Sequence, residues 1–323
     1  MHNSRVNLLV FLLLLASLPF DPHTVKLRRI STTPIFSPRG ETWEAAGVFN
    51  PAIVRFRGKY VMLYRAQDAA GTSRLGYAES TDGIHFTRHA EPVLSPEADY
   101  ERDGGVEDPR LVTVGDTFYL TYTGYNKHDA QLCLATSKDL IHWTRHGVII
   151  PANRGNWNVK WTKSGAIVPE NINGKYWMYF LGTDANNKDQ TGLASSHDLL
   201  HWTEATQTPV IPVRPGKFDS RVAEPGPSPI LTKDGIVLIY NAADDQLVYR
   251  TAFAVFDRND PRKLLWRSER PVFLPELPWQ KVGQVPNVVF VEGAALSPDG
   301  KHYRFYYGGA DKYIGVAEGE FAH

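Results

Sequence analysis

One layout of short apolar strand, turn, aromatic strand and polar ending occurs five times along the chain, and no other feature restricts the fold as much. The copies begin at Asn50-Pro51-Ala52, Asp108-Pro109-Arg110, Ser164-Gly165-Ala166, Gly226-Pro227-Ser228 and Gly293-Ala294-Ala295. Each passes through a Gly-containing turn into an aromatic run, such as Tyr60-Val61-Met62-Leu63-Tyr64 or Tyr303-Arg304-Phe305-Tyr306-Tyr307, which is a hairpin signal. A second element, Ser-x-Asp-x-x-His-aromatic, follows three of the copies at Ser80–Phe86, Ser137–Trp143 and Ser196–Trp202. Asp82, Asp139 and Asp198 in it read as turn residues rather than catalytic acids. The starts Asn50, Asp108, Ser164, Glu224 and Glu292 lie 58, 56, 60 and 68 residues apart, room for four strands and their loops. With no helical period competing, the pattern predicts an all-β chain folded as one five-bladed β-propeller, four antiparallel strands to a blade, over residues 25–323. A β-sandwich would leave five copies of one hairpin unexplained.

Charge and cysteine content narrow the function. Thirty-five basic and 35 acidic side chains cancel, so no excess cation is available for the phosphates of a nucleic acid or for an anionic membrane surface. The single cysteine, Cys133, excludes an internal disulfide and a Cys-based zinc cluster and reads as a small buried residue. Residues 1–20 pair Arg5 with the apolar run Val6–Leu18, the form of a secretory signal too short to span a bilayer comfortably. The expectation is an exported protein, periplasmic or extracellular, without integral membrane association once the signal is removed.

In a propeller the innermost strands of all blades point into one central funnel, so equivalent repeat starts converge in space. Those positions hold Asn50, Glu107 and Asp108, Lys163 and Ser164, Glu224 and Glu292 where apolar residues would otherwise be expected. Carboxylates facing one cavity suit glycosidic bond cleavage, in which one carboxyl assists the leaving oxygen and another activates the attacking group. Trp157 and Trp161 beside a repeat start are candidate platforms for a sugar ring.

The series Asn50-Pro51-Ala52, Tyr64-Arg65-Ala66, Val106-Glu107-Asp108-Pro109-Arg110, Asn287-Val288-Val289-Phe290 and Tyr306-Tyr307-Gly308-Gly309-Ala310-Asp311 resembles glycoside hydrolase family 130, the β-mannoside phosphorylases and β-mannosidases. The resemblance implies a five-bladed propeller, an inverting mechanism, a mannose-containing oligosaccharide or glycan as substrate, and no metal or organic cofactor. It assigns Asp108 as general acid and Asn50, Arg65 and Asp311 to the mannosyl unit. The chain departs from the phosphorylase pattern where those enzymes bind phosphate. Asn241 follows the Ile239-Tyr240 strand in place of His, the next element reads Ser220-Arg221-Val222-Ala223-Glu224, and Glu292 stands in the stretch Phe290-Val291-Glu292-Gly293. Extra carboxylates disfavour a phosphate dianion and suit water activation. The sequence therefore predicts an inverting β-mannosidase with Glu224 or Glu292 as base, and Arg110, Trp161, Lys163, Arg221 and Asn241 as further substrate contacts. The alternatives are a phosphorylase giving mannose 1-phosphate, with Arg221, Lys163 and Arg110 holding the anion, and a non-catalytic glycan-binding propeller or a furanosidase.

Overall fold

The computed structural model describes residues 26–320; the signal-like segment 1–20 lies outside them. Among the described residues the chain is β-structure apart from one 3-10 turn at Asp99–Glu101 and one helical turn at Pro278–Lys281. The strand β1 (Arg28–Arg29) comes first. A first antiparallel unit follows, made of β2 (Gly47–Phe56), β3 (Lys59–Gln67), β4 (Ser73–Ser80) and β5 (Thr87–Arg88). The second holds β6 (Gly105–Val114), β7 (Thr117–Tyr125), β8 (Ala130–Ser137) and β9 (Thr144–Ile150). The third holds β10 (Thr162–Ile167), β11 (Tyr176–Thr183), β12 (Asp189–Ser196) and β13 (Thr203–Glu204). In the fourth, β14 (Val222–Pro225) and β15 (Ile230–Thr232) both pair with β16 (Gly235–Ala243), followed by β17 (Tyr249–Phe256) and β18 (Leu264–Arg267). The fifth holds β19 (Val289–Leu296), β20 (His302–Gly309) and β21 (Tyr313–Glu320), and β1 completes it by pairing with β21. Five sequence repeats thus become five successive antiparallel units.

Apolar side chains fill the spaces between neighbouring units. Val61 and Leu75 of the first meet Leu111 and Leu120 of the second, and Val112 and Leu132 of the second meet Ile167 and Phe180 of the third. Tyr179 and Leu193 face Leu238 and Phe256, while Ile239 and Phe253 face Val291 and Phe305. Ile53 and Met62 of the first unit pack with Tyr306 and Val316 of the fifth. Each unit buries both of its faces, which explains near-continuous apolar strands such as Ile236–Tyr240, all fully buried.

The first strands of four units, β2, β6, β10 and β19, share one irregularity. Strand register slips between Phe49 and Pro51, Glu107 and Arg110, Lys163 and Ala166, and Val291 and Gly293. Within the first three slips Asn50, Asp108 and Ser164 take left-handed backbone, φ 47°, 50° and 61°. Asn and Asp tolerate that region because their short polar side chains can bond locally. In the fourth unit the inner strand breaks between β14 and β15, where Pro225, Pro227 and Pro229 remove donors the ladder would need. A bulge re-aims the side chains beside it, so the first strands of these units turn polar residues off the ladder.

The recurring turn aspartates are scaffold. Asp139 Oδ1 accepts the backbone N–H groups of Ile141 (2.9 Å) and His142 (2.8 Å), and its Oδ2 sits 2.7 Å from His142 Nδ1. Asp82 and Asp198 repeat the arrangement with His85 and His201. Replacing Asp139 by Ala should lower stability by about 1 kcal/mol, read from the midpoint of urea unfolding, because it frees two turn N–H groups that lie near solvent.

Candidate functional site

The re-aimed side chains meet in a cavity lined by Asn50, Arg65, Asp108, Lys163, Glu224 and Asp311, with Tyr249 and an apolar wall of Val285, Val288 and Phe290. All five units contribute to it. Six residues singled out from the sequence are thereby brought together.

Asp108 is held at every turn. Its Oδ1 accepts from Asn50 Nδ2 at 2.8 Å and from Arg65 NH1 at 2.9 Å. Burial opposes its charge, but Arg65, Lys163, Arg110 and the Asn50 hydrogen bond outweigh burial and hold its pKa down at about 2. The other Arg65 nitrogen donates to Glu107 Oε1 at 2.6 Å, and Ser73 Oγ donates to the same oxygen at 3.1 Å. Burial nevertheless lifts the Glu107 pKa, with the neighbouring Asp108 charge adding to the rise. Arg65 is therefore fully engaged by two carboxyl groups of β6.

Glu224 faces the cavity from β14. Ser164 Oγ hydrogen-bonds its Oε1, and Lys163 Nζ stands 3.5 Å from that oxygen. Burial works against the Lys163 charge, yet Glu224, Asp108 and Asp189 keep it protonated well above the ordinary lysine range. Asp311, from the turn between β20 and β21, also has left-handed backbone, φ 50°, and its main-chain carbonyl accepts from Gln284 Nε2 at 2.8 Å. Burial lifts its carboxyl pKa to about 7, helped by Asp108 and Glu107 and resisted by Arg65 and Lys163. The cavity thus holds one carboxylate that is always ionised at neutral pH, one carboxyl poised near pH 7, and Glu224 beside a cation.

The remaining expected contacts are elsewhere. Arg110 does not line the cavity; it is 1% exposed and lies beneath it, donating to the carbonyl oxygens of Asp108 (3.1 Å), Pro225 (2.8 Å) and Gly226 (3.0 Å) and to Glu292 Oε1 (3.2 Å). Glu292 lies on the same buried guanidinium rather than on the cavity; burial raises its pKa well above the usual carboxylate range, and its second oxygen has no partner. A carboxyl sealed behind Arg110 and off the cavity wall is poorly placed to take a proton from an acceptor in the cavity. Asn241 is fully buried and serves as a clamp: Nδ2 donates to the Val291 carbonyl at 2.8 Å, and Oδ1 accepts from Val291 N at 2.9 Å and Thr251 Oγ1 at 3.1 Å. Arg221 sits at the entry to β14, tied through its main chain to Asp189 and Ala243. Trp161 is 38% exposed, meets Tyr125 edge-on at 5.8 Å and donates its indole N–H to the His128 carbonyl. Trp157 packs on Phe180 in the third unit's core, so it is no platform. Tyr249 and Val285 carry no signal in the sequence, because they lie outside the repeated pattern, whereas Val288 and Phe290 stand in the Asn287–Phe290 motif.

A small polar cavity bearing carboxyls, one amide and two cations suits acid–base chemistry on a hydroxyl-rich ligand. The family model for glycoside hydrolase family 130, described as beta-1,4-mannooligosaccharide phosphorylase, matches residues 21–322, and the chain belongs to that family. It is 40% identical over 304 residues to the 1,2-beta-oligomannan phosphorylase of Thermoanaerobacter sp. (strain X514), covering 91% of this chain and 97% of that one. A solved structure with TM-score 0.82, 34% identity and coverage of 91% and 93% was reported with the finding that the GH130 family of mannoside phosphorylases contains glycoside hydrolases that target beta-1,2 mannosidic linkages in Candida mannan. The beta-1,2-mannobiose phosphorylase of Listeria innocua, solved with beta-1,2-mannobiose, superimposes with TM-score 0.81 at 25% identity over 91% of this chain and 96% of that one.

Two outcomes check this geometry. Asn241→Ala leaves two buried backbone groups of Val291 unpaired and should cost about 2–4 kcal/mol in denaturant unfolding. A carboxyl whose pKa is raised on folding holds its proton more tightly in the native state, so stability falls as pH rises from about 4 to about 7 and levels off above. Asp311→Asn removes that titration; melting-temperature scans should show the variant gaining on the parent across that window and running parallel to it above pH 7.

Proposed function

We propose that this chain cleaves β-mannosidic bonds, β-1,2 linkages in manno-oligosaccharides first among them, by a single displacement with inversion in which Asp108 acts on the leaving-oxygen side. The observation that carries this reading is the meeting of Asn50, Arg65, Asp108 and Asp311 in one cavity with Glu224, since these are the residues the family resemblance gives to the acid and to the mannosyl unit. A displacement needs a leaving-group partner and an acceptor on opposite sides of the sugar carbon. Asp108 and Glu224 arrive from different units, which provides for both. We read the five units as the blades of one closed propeller, with β1 finishing the last blade, because every unit packs on two neighbours and the fifth on the first. Export follows from residues 1–20 as a further proposal.

The acceptor is the point on which the lines of support differ. The curated relatives back inorganic phosphate over the water that the sequence led us to expect: besides the 40% identical oligomannan phosphorylase, a 34% identical relative is named a beta-1,2-mannobiose phosphorylase. Phosphorolysis, giving mannose 1-phosphate, is accordingly the first reading. One observation favours hydrolysis as the second. Both cavity cations already face carboxylates, Arg65 with Glu107 and Asp108 and Lys163 with Glu224, and a dianion placed beside Glu224 would meet like charge.

The experiment is to incubate the protein with β-1,2-mannobiose, with and without inorganic phosphate, and to separate mannose 1-phosphate from free mannose. Phosphate-dependent mannose 1-phosphate establishes the first reading, free mannose at a phosphate-indifferent rate the second, and no cleavage overturns both. Under either reading, Asp108→Asn should lower kcat by roughly 10²–10⁴-fold. Glu224→Gln should be similarly damaging if water is the acceptor, because the base is gone, and much milder if phosphate is, because a repulsive charge has been removed.

A further inference from the structure

Under the proposed reading the cavity takes the mannosyl unit, and the sugars on the leaving side lie outside it. Asp108, which serves that side, stands on β6, so the way out runs along the second unit. The cavity lies at the end of the units where second and third strands are joined: Asp311 sits in that turn of the fifth unit, and Tyr249 directly follows the corresponding loop of the fourth. Two aromatic side chains occupy this end at the seam between the second and third units. Tyr125 closes β7 opposite Gly105, three residues before Asp108, and Trp161 directly precedes β10, two residues before Lys163. At about 3.3 Å per residue, Trp161 lies about 7 Å along its strand from Lys163, and Tyr125 is level with a point about 10 Å along β6 from Asp108. Neither ring lines the cavity itself.

The pair is held in place. Trp161 is the only exposed residue of the eight tryptophans, all of which lie within the described residues. Its indole N–H donates to the His128 carbonyl at 3.1 Å, and the turn that carries this carbonyl is capped by Asn126 Oδ1, which accepts from the main-chain N–H groups of His128 (3.0 Å) and Asp129 (2.7 Å). Asn153 Nδ2 donates to Asp129 Oδ1 at 2.7 Å, tying the same turn to the segment that leads into Trp161. Tyr125 meets the indole edge-on, and its own ring fills the space that a side chain on Gly104 would need, since a Cβ there would come within 2.4 Å of Tyr125 Cδ1. An indole pinned at its nitrogen and braced by a second ring, yet left exposed, loses rotamer freedom that burial does not offset and keeps a flat apolar face toward water.

We propose that Trp161, braced by Tyr125, is the platform for the second sugar on the leaving side, so that the protein acts more efficiently on β-mannosyl chains of three or more units than on the disaccharide. The C–H face of a pyranose stacks on the open face of the indole, and the first leaving-side sugar spans the distance between Asp108 and the platform. Trp161 takes no part in bond breaking. It sets chain-length preference by adding a contact that a disaccharide is too short to reach.

This inference rests on the mannoside-cleaving reading, and a comparison of chain lengths separates the two. The parent protein, Trp161→Ala and Trp161→Phe are assayed on β-1,2-mannobiose and β-1,2-mannotriose in the presence of inorganic phosphate. The parent should favour mannotriose in kcat/KM by roughly two- to tenfold, the range of one aromatic stacking contact, with the difference carried by KM. Trp161→Ala should bring that ratio to about one. Trp161→Phe keeps an aromatic face while giving up the bond to His128, and should retain a preference for the longer chain. The side chain is exposed, so both variants should fold, as circular dichroism and thermal melting will show. A parent ratio of one, an alanine variant with the parent's ratio, or a phenylalanine variant no better than alanine overturns the platform while leaving the mannoside reading intact. A parent protein that cleaves neither substrate ends both. In Asp108→Asn, calorimetry should show mannotriose bound more tightly than mannobiose and that margin lost when Trp161→Ala is added; equal affinities for the two sugars overturn the platform independently of turnover.

Discussion

Everything at the cavity floor depends on Arg110. A guanidinium taken wholly out of water costs several kcal/mol unless its donors are matched, and here each of its three nitrogens has an acceptor, supplied by the main chain at Asp108, Pro225 and Gly226 and by the carboxyl of Glu292. Those acceptors belong to three units. The same side chain that must be satisfied therefore ties the bulge carrying Asp108 to the proline-broken strand carrying Glu224 and to the strand of the fifth unit. Lysine could not span them, since its single ammonium lacks the planar fork. The prolines after Glu224 complete the arrangement: by giving up ladder hydrogen bonds they leave the carbonyls of Pro225 and Gly226 free to turn toward Arg110.

Above that floor the cavity is an exercise in unequal partnering. Asp108 and Asp311 are the same residue type about one cavity, and both have left-handed backbone, yet one is held ionised and the other is held near neutrality. Burial acts on both in the same direction. The difference is Arg65, whose planar fork bonds Asp108 and Glu107 at the same time and reaches Asp311 only through space. Pairs of like groups pushed apart in this way are the means by which a site runs acid and base steps at one pH. Positive charge is sufficient to ionise some of the carboxyls and insufficient for all.

The repeats made the strand order legible, because a hairpin signal and a capped turn depend on residue types within a few positions of each other. The set Asn50, Asp108 and Glu224 was legible too, since equivalent positions in a repeated unit converge. What failed was the direction of individual side chains. Along a strand successive residues face opposite ways, and a bulge inverts that alternation locally; of the expected site residues, Asn241 in the regular ladder of β16 and Glu292 in the register slip of β19 turn into the structure instead. Asn241 became a clamp on Val291 and Glu292 a counter-ion for Arg110. Tyr249 and Val285 could not be found by pattern at all. Tyr249 opens β17 and Val285 lies in the segment before β19, and their place at the cavity follows from tertiary contacts rather than local composition.

Under the proposed reading, Glu224 is where the chemistry of the acceptor is decided. Its oxygen lies against Ser164, 3.5 Å from Lys163 and 3.8 Å from Arg110, a setting that neutralises the carboxylate without burying it behind either cation. For phosphate to take the same place, Lys163 would have to leave Glu224 for the anion, and the carboxylate would then stand unscreened beside a second negative charge in a confined, poorly solvated space. Water makes no such demand: it needs an oxygen able to accept its proton, which Glu224 presents, and Lys163 can stay against that carboxyl throughout. Against this stands the kinship with proteins named as phosphorylases. Under the proposed reading the two are reconcilable on one scaffold, because Ser164 and Glu224 are single side chains at a register slip and a strand break, where an exchange of one residue alters charge without altering the strands that carry it.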